Sequence, residues 1–366
     1  MPLPPKNLPY EIGPLLNLEI ALFRLPFRAE KNLRPLDVVP AFRSLLGVTL
    51  KKRFCPFPDY EKRSCEGCDR ASTCCYTMLF APTCKTIENK GKGRFHADLP
   101  RPYTLAMPLP HENETVQQGK EGGLVLTLIG AEAIRFKRPM LESLSHAAMI
   151  LRKKLSITPL PWQTFEPGKG GDSTGFSIME EGDILGRSPG APLSCWISAL
   201  PVLEHFTENF GGDRLELRFI TPLQLKRMQN KFMFIPFLQS VIARLRDLKR
   251  IYQPEDNDMG NFSMAFYKEA EKIITKSSLI SEKASWFSKH RNKTISLEGL
   301  TGKLILKGEV SAFIPLFAAA FFLGIGSKTV YGLGRFDLQG WEDSYDNMIP
   351  QKSVGTFPGT HAHFPD

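Results

Sequence analysis

Three stretches of the chain hold residue types at spacings that could do chemistry. The first is Gly324-Ile325-Gly326-Ser327-Lys328-Thr329-Val330-Tyr331-Gly332-Leu333-Gly334-Arg335, where two glycine–apolar–glycine triplets bracket a lysine. Glycine has no Cβ to hold a ligand away, so bare backbone N–H groups can approach an anion. Lys328 and Arg335 add charge, and Tyr331 can stack on a base or pack against protein. The second stretch, Ser288-Lys289-His290-Arg291-Asn292-Lys293, sets an imidazole among three cations. Neighbouring cations disfavour protonating the ring, which suits a general base, and they also suit a phosphate. A solvated basic edge is the alternative. The third is a cysteine cluster, Cys55-x9-Cys65-x2-Cys68-x5-Cys74, with Cys75 adjacent. Four thiols around one C-x2-C pair could form a tetrahedral zinc site that staples a short insert. Iron–sulfur ligation and plain reduced thiols are the other readings. Cys84 and Cys195 have no evident partner.

Other histidines offer less. His361 and His363 fall in a polar, proline-containing tail, and His111 sits among Pro, Glu and Asn. His146 is off the apolar stripe of its helix, and His205 precedes the interdomain stretch.

The elements that must position these groups follow from periodicity. Leu18 to Phe27 alternates and reaches Pro26, a strand with a proline stop. Leu36 to Leu50 puts Val39, Phe42, Leu46 and Leu50 on one helical face and ends in Lys51-Lys52-Arg53. That basic end suits the negative pole of a helix, and Lys52 and Arg53 could equally track phosphates. Leu124 to Ile129 reads as a strand and Met140 to Leu151 as a helix. The grammar then returns: Arg214 to Phe219 alternates and stops at Pro222, and Ile235-Pro236 opens a helix with Leu238, Val241, Ile242, Leu245 and Leu248 inward. Trp286 to Ile295 and Leu300 to Lys307 read as paired strands. Ala312 to Leu323 reads as a buried helix with Ser311 as N-cap and Pro315 in its first turn. It leads into the glycine loop and a last strand at Arg335 to Leu338. Helix, loop, strand is the reverse of the order a nucleotide-binding fingerprint needs, so a dinucleotide or Walker site is excluded.

Composition sets the frame. The chain has 366 residues, 42% hydrophobic and 23% charged, a globular balance and a length that suggests two domains. Formal charge is +9, which favours an acidic partner, with nucleic acid first. Met1-Pro-Leu-Pro-Pro-Lys lacks the pattern of a signal peptide, and Val310 to Ile325 is too short and too broken to span a membrane. A cytoplasmic protein with no membrane contact is expected, in which clustered cysteines are thiols or ligands rather than disulfides.

The glycine loop with Lys328 inside it resembles the C-terminal glycine-rich loop of the CRISPR-associated RAMP endoribonucleases that process precursor crRNA. Cys65-Glu-Gly-Cys68, Cys74-x-Tyr76, Leu79-Phe80 and Arg101-Pro102-Tyr103 resemble an insert found in one subset of that family. Thr221-Pro222-Leu223-x-Leu225-Lys226 resembles its second-domain opening. The resemblance implies an α+β chain of two tandem ferredoxin-like (RRM-like) domains. Their expected bounds are 1–200, with a cysteine-containing insert at about 54–85, and 201–340, followed by an irregular tail at 341–366. It implies an endoribonuclease that cuts CRISPR repeat RNA without a metal, leaving a 2′,3′-cyclic phosphate and a 5′-hydroxyl. The implied partners are repeat RNA and other CRISPR effector subunits, and a homodimer is compatible with it. Many members carry a histidine near the first helix, whereas this chain has none before His96. The catalytic expectation therefore rests on His290. RNA contacts are expected at Gly324, Gly326, Lys328, Gly332, Gly334, Arg335, Lys289, Arg291, Lys293, Lys52 and Arg53. Zinc, if present, would be structural and held by Cys55, Cys65, Cys68 and Cys74. Two other readings stay open: a crRNA-binding subunit of the same superfamily that does not cut, and a zinc-dependent nucleic-acid-binding regulator.

Overall fold

The computed structural model describes residues 12–65, 68–82, 99–109, 115–165, 176–178, 195–197, 213–225, 232–256, 258–288 and 292–338. A short helix, α1 (Gly13–Leu16), precedes the first strand, β1 (Glu19–Ala29). Then come α2 (Pro35–Phe54), α3 (Cys75–Leu79), β2 (Tyr103–Ala106), β3 (Glu121–Ile129), α4 (Ala131–Ile134), α5 (Lys137–Leu155) and β4 (Ile157–Pro159). Short strands β5 (Gln163–Phe165), β6 (Phe176–Ile178) and β7 (Cys195–Trp196) complete the first sheet. Its order is β2-β3-β1, with β4, β5 and β7 sharing the far edge of β1. Strand β1, helix α2, strands β2 and β3, helix α5 and strand β4 thus form a ferredoxin-like unit with antiparallel neighbours.

The second unit runs β8 (Arg214–Leu223), α6 (Phe234–Tyr252), α7 (Met264–Glu271), β9 (Ile274–Glu282), β12 (Gly299–Lys307), α8 (Ile314–Leu323) and β13 (Phe336–Leu338). Its four-stranded sheet has the order β13-β8-β12-β9, again the ferredoxin-like arrangement. Between β9 and β12, strands β10 (Ser285–Ser288) and β11 (Lys293–Ser296) make a separate two-stranded ribbon.

The periodic patterns explain the layers. Ala21, Phe23, Leu25 and Phe27 of β1 face α2 and α5, where Val39, Phe42, Leu46 and Leu50 meet Met140, Leu144, Ala147 and Leu151. The alternate residues Ile20 and Leu22, with Val125 and Ile129 of β3, face the other way. They join one core with Leu238, Val241, Leu245 and Leu248 of α6 and the whole apolar length of α8. Leu215, Leu217, Leu304 and Leu306 close that core from the second sheet. The order of layers is helices, first sheet, helices, second sheet. Helix α1 belongs to the second unit's core, because Leu15 and Leu16 pack there. The fully buried Lys249 of α6 ties it down: Nζ donates to Pro14 O at 2.5 Å and Asp258 O at 2.7 Å, and pairs with Asp256 at 2.9 Å.

Four sequence expectations change. Prolines do not end the long strands: β1 continues through Pro26, paired with Gly123, and β8 continues through Pro222 to Leu223. Proline cannot donate to a ladder, yet its carbonyl still accepts, as Pro26 O does from Leu160 N and Pro222 O from Gly334 N. Residues 286–295 do not pair with 300–307. The partner of β12 is β9, and 286–295 fold back on themselves. Ser311 is no N-cap either; it opens a single 3-10 turn, and α8 starts after Phe313 without a side-chain cap. The proposed domain boundary at 200 and the tail 341–366 lie outside the described residues. Among the described residues, no helix is long and apolar enough to cross a membrane.

Candidate nucleic-acid interface

The glycine loop links α8 to β13 and lies against the first unit. Gly324, Gly332 and Gly334 are buried, and only 326–328 are partly exposed. Two glycines show why. Gly334 has φ +69, and a Cβ on it would collide with the carbonyl oxygen of Ile325. Gly332 has φ +83 and would put a Cβ 3.0 Å from a methyl of Val39 on α2. Gly326 likewise lies against the Gln224 carbonyl. The glycines thus let the loop cross itself and press on its neighbours, a close-packing role rather than an open phosphate cradle.

Arg335 is 7% exposed and engaged inside the protein. Its guanidinium donates to Phe321 O at 2.9 Å, Phe322 O at 3.0 Å and Thr104 Oγ1 at 2.6 Å. Arg244 of α6 donates to Leu323 O at 2.9 Å and Thr329 Oγ1 at 2.8 Å. Thr104 and Thr127, neighbours on β2 and β3, both donate to Phe322 O. The last carbonyls of an all-apolar helix are therefore capped by two arginines and two threonines, cations where the helix dipole favours them. Burial, with Arg335 nearby, holds Arg244 down to about 10. The expectation that Arg335 contacts RNA gives way here to a helix cap.

Tyr331 packs. The Arg43 guanidinium sits 4.2 Å from the ring centre of Phe80 and 4.4 Å from that of Tyr331. The loop, helix α2 and the end of α3 are joined through that sandwich. Lys328 is different: its backbone is left-handed at φ 59, it is partly exposed, and Nζ donates to Ser296 O at 2.7 Å. Burial lowers its pKa, and Glu298 opposes the shift.

Through Ser296 the loop meets the β10–β11 ribbon, which leans on the first unit. Trp286 Nε1 donates to Ser44 Oγ of α2 at 2.9 Å, and Lys154 Nζ lies 5.6 Å from the Trp286 ring centre. Lys293 is exposed on this ribbon. His290, Lys289 and Arg291 lie outside the described residues, between Ser288 and Asn292. Arg152, Lys153 and Lys154 are exposed on the last turn of α5, where Lys154 reaches the same ribbon, and they were not singled out in the sequence. Their run of three cations was visible there as a helix C-terminus.

At the far end of α2, Lys52 is exposed. Arg53 pairs with Glu142 at 3.1 Å, and Arg138 holds the same carboxylate at 2.7 Å. Burial pushes the Glu142 carboxyl up, but hydrogen bonds from Arg138 and Arg53 hold it below its usual range. These cations sit about 20 Å along α2 from Val39, where the loop docks, at 1.5 Å per residue.

Beyond that end, Cys55, Cys65, Cys68 and Cys74 line one pocket. All four are free and partly buried. Among the described residues, no three His, Cys, Asp or Glu side chains are arranged around a metal position as they stand. A hydrogen bond from the Cys75 thiol, helped by the Thr77 and Tyr76 amides, holds Cys74 down to about 5 against burial. Burial, opposed by Lys51, pushes Cys65 up.

Residues 217–336 match the family model of the CRISPR-associated endoribonuclease Cas6, and residues 18–154 match a family model described as an N-terminal domain. Thermus thermophilus Cas6 is similar at 16% identity, over 88% of this chain and 98% of that one, with a TM-score of 0.40. A partial Cas6-RT-Cas1–Cas2 complex aligns at 12% identity over 88% of this chain and 46% of that one, at 0.47. A Cas6-related protein from Pyrococcus furiosus aligns at 10% identity over 88% and 97%, at 0.31. No curated protein sequence matches the chain.

Proposed function

We propose, on the premise that residues 217–336 carry a CRISPR-associated endoribonuclease Cas6 domain, that this chain cuts CRISPR precursor RNA within its repeats. The observation that carries the reading is the span of that match. It runs from β8 to the start of β13 and so takes in the basic ribbon and the glycine loop together.

The chemistry we infer needs no metal, because the nucleophile is part of the substrate. The 2′-hydroxyl attacks the adjacent phosphate, the bond from phosphorus to the 5′-oxygen breaks, and a 2′,3′-cyclic phosphate and a 5′-hydroxyl result. One group must take the 2′-OH proton and another must protonate the leaving 5′-oxygen. His290 is our candidate for the first role. Lys289, Arg291 and Lys293 flank it and would stabilise the charge that builds on the phosphorane. Lys328, Lys52 and the last turn of α5 would hold the RNA by its phosphates. Partners are repeat RNA and other CRISPR effector subunits, with a homodimer as the assembly to look for.

The test is to incubate the protein with its repeat RNA in EDTA, with and without a 2′-deoxy substitution at the scissile nucleotide. Cleavage of the ribose substrate alone is expected. Cleavage of the deoxy substrate, or cleavage that needs a divalent ion, refutes the mechanism. Tight binding without cleavage refutes catalysis and points to a non-cutting crRNA-binding subunit, the reading favoured by the lack of histidine before His96. His290→Ala is expected to abolish cleavage with RNA affinity nearly kept, and a wild-type rate in that variant removes His290 from the mechanism.

A further inference from the structure

The segment from Cys55 to Cys74 is held in a defined path without a core of its own. None of its described residues is buried, and its described backbone is turns and irregular chain. The helices on either side of it, α2 and α3, do bury apolar side chains. Exposed chain cannot offset its ordering entropy by burial, so some other staple is needed.

The side chains point to which. Cys55, Cys65, Cys68 and Cys74 line one pocket, and no described carboxylate lines it with them. Three cations do: Lys51, Arg63 and Arg70. Lys51, on the last turn of α2, donates from Nζ to Arg63 O at 2.8 Å and lies 5.6 Å from the Tyr76 ring centre. Arg63 stacks on Phe57 with its guanidinium carbon 3.7 Å from the ring centre. Four free thiols thus lie beside three cations, of which Arg63 also pairs with Asp59 at 3.9 Å, and positive charge gathered there favours sulfur in its thiolate form.

We propose that Cys55, Cys65, Cys68 and Cys74 bind one structural zinc ion, and that Lys51, Arg63 and Arg70 neutralise the resulting tetrathiolate. A zinc ion with four thiolates carries two net negative charges, so the surrounding cations become complementary to it. An all-sulfur donor set selects zinc over calcium or magnesium, which take oxygen ligands. The thiols do not yet converge on one point. Each sulfur turns about a single Cα–Cβ bond, Cys65 at a bend and the others on irregular backbone, so binding draws the four together and fixes the segment, as metal sites coupled to folding do. Each sulfur binds as a thiolate, any proton still on it passes to solvent, and no electron is transferred. The site is separate from RNA cleavage and does not depend on that reading.

The full-length protein is loaded with zinc, passed over a desalting column, and its metal released by titrating the thiols with an organomercurial in the presence of a zinc-sensitive dye. One zinc per chain is expected. Cobalt in its place is expected to give the visible bands and sulfur-to-metal charge transfer of a tetrahedral thiolate site. Cys65→Ser/Cys68→Ser is expected to lose both signals, whereas Cys75→Ala, outside the set, keeps them. A folded wild-type protein that retains no metal and shows all its thiols free overturns the proposal. So does a disulfide within the set, or retention of the cobalt spectrum by the double serine variant. RNA cleavage assayed in parallel reports on the other reading alone.

Discussion

Replacing Arg335 by alanine separates a helix cap from an RNA contact. In the structure its guanidinium donates to Phe321 O, Phe322 O and Thr104 Oγ1, all within 3.0 Å, in a site only 7% exposed. Phe322 O keeps Thr104 and Thr127 as donors in the variant. Phe321 O and the Thr104 hydroxyl each lose a charge-assisted partner, worth roughly 1.5–3 kcal/mol apiece. Relief of repulsion with Arg244, whose charge Arg335 disfavours, returns part of that. The net loss is about 3–5 kcal/mol, a large share of the roughly 5–15 kcal/mol that holds a typical domain folded. At about 2–4 °C per kcal/mol, Tm should fall by roughly 10 °C. Differential scanning calorimetry measures it, alongside RNA binding at several salt concentrations. The salt dependence should be unchanged, because no phosphate contact is lost. Arg335→Lys should recover little, since an ammonium cannot fork between two carbonyls and a hydroxyl. A variant within about 0.5 kcal/mol of wild type, with its salt slope reduced by about one, would refute the cap and restore the RNA contact.

Gly334→Ala puts a Cβ against the Ile325 carbonyl at a left-handed φ, so it should cost at least about 1–2 kcal/mol and speed hydrogen exchange at the Ile325 amide, which donates to Gly334 O. Lys249→Met leaves Asp256 and two carbonyls without their cation. A loss of about 3–5 kcal/mol is expected, with new proteolytic sensitivity near Pro14; wild-type resistance would count against the tether. Lys328→Ala should weaken repeat-RNA binding and lower its salt slope by about one while leaving Tm nearly in place, and unchanged affinity would exclude the lysine from the interface.

The parts of the fold most legible in the sequence were those whose two faces differ. Val39, Phe42, Leu46 and Leu50 announce α2, and the stripe of α6 is as plain, because each helix keeps one polar side. Strand β9, Ile-Thr-Lys-Ser-Ser-Leu-Ile-Ser-Glu, gave no such contrast. It is an edge strand with no buried residue, and its isoleucines at 274 and 280 are exposed. Without it, 286–295 was the nearest apolar run to pair with β12. The glycine loop was legible as local order, helix then loop then strand, but not as a role. What its glycines avoid lies at Val39 and Gln224, far off in sequence, and what Arg335 binds includes Thr104. The four cysteines were legible by spacing, falling within 20 residues of one another, and they line one pocket.

The shared core also bears on how the chain is made. Ile20, Leu22, Val125 and Ile129 wait for α6 and α8, so the first sheet emerges from synthesis with one apolar face bare until α8 ends at Leu323, well after β4 ends at Pro159. Contacts of that sequence separation slow folding, and an uncovered sheet face in the interval invites association with other chains. Helix α1 is in the same position, since its docking site on α6 and α8 is made last. Expressed apart, the two halves would each present an unfinished surface to solvent, and the unit of folding here is the pair.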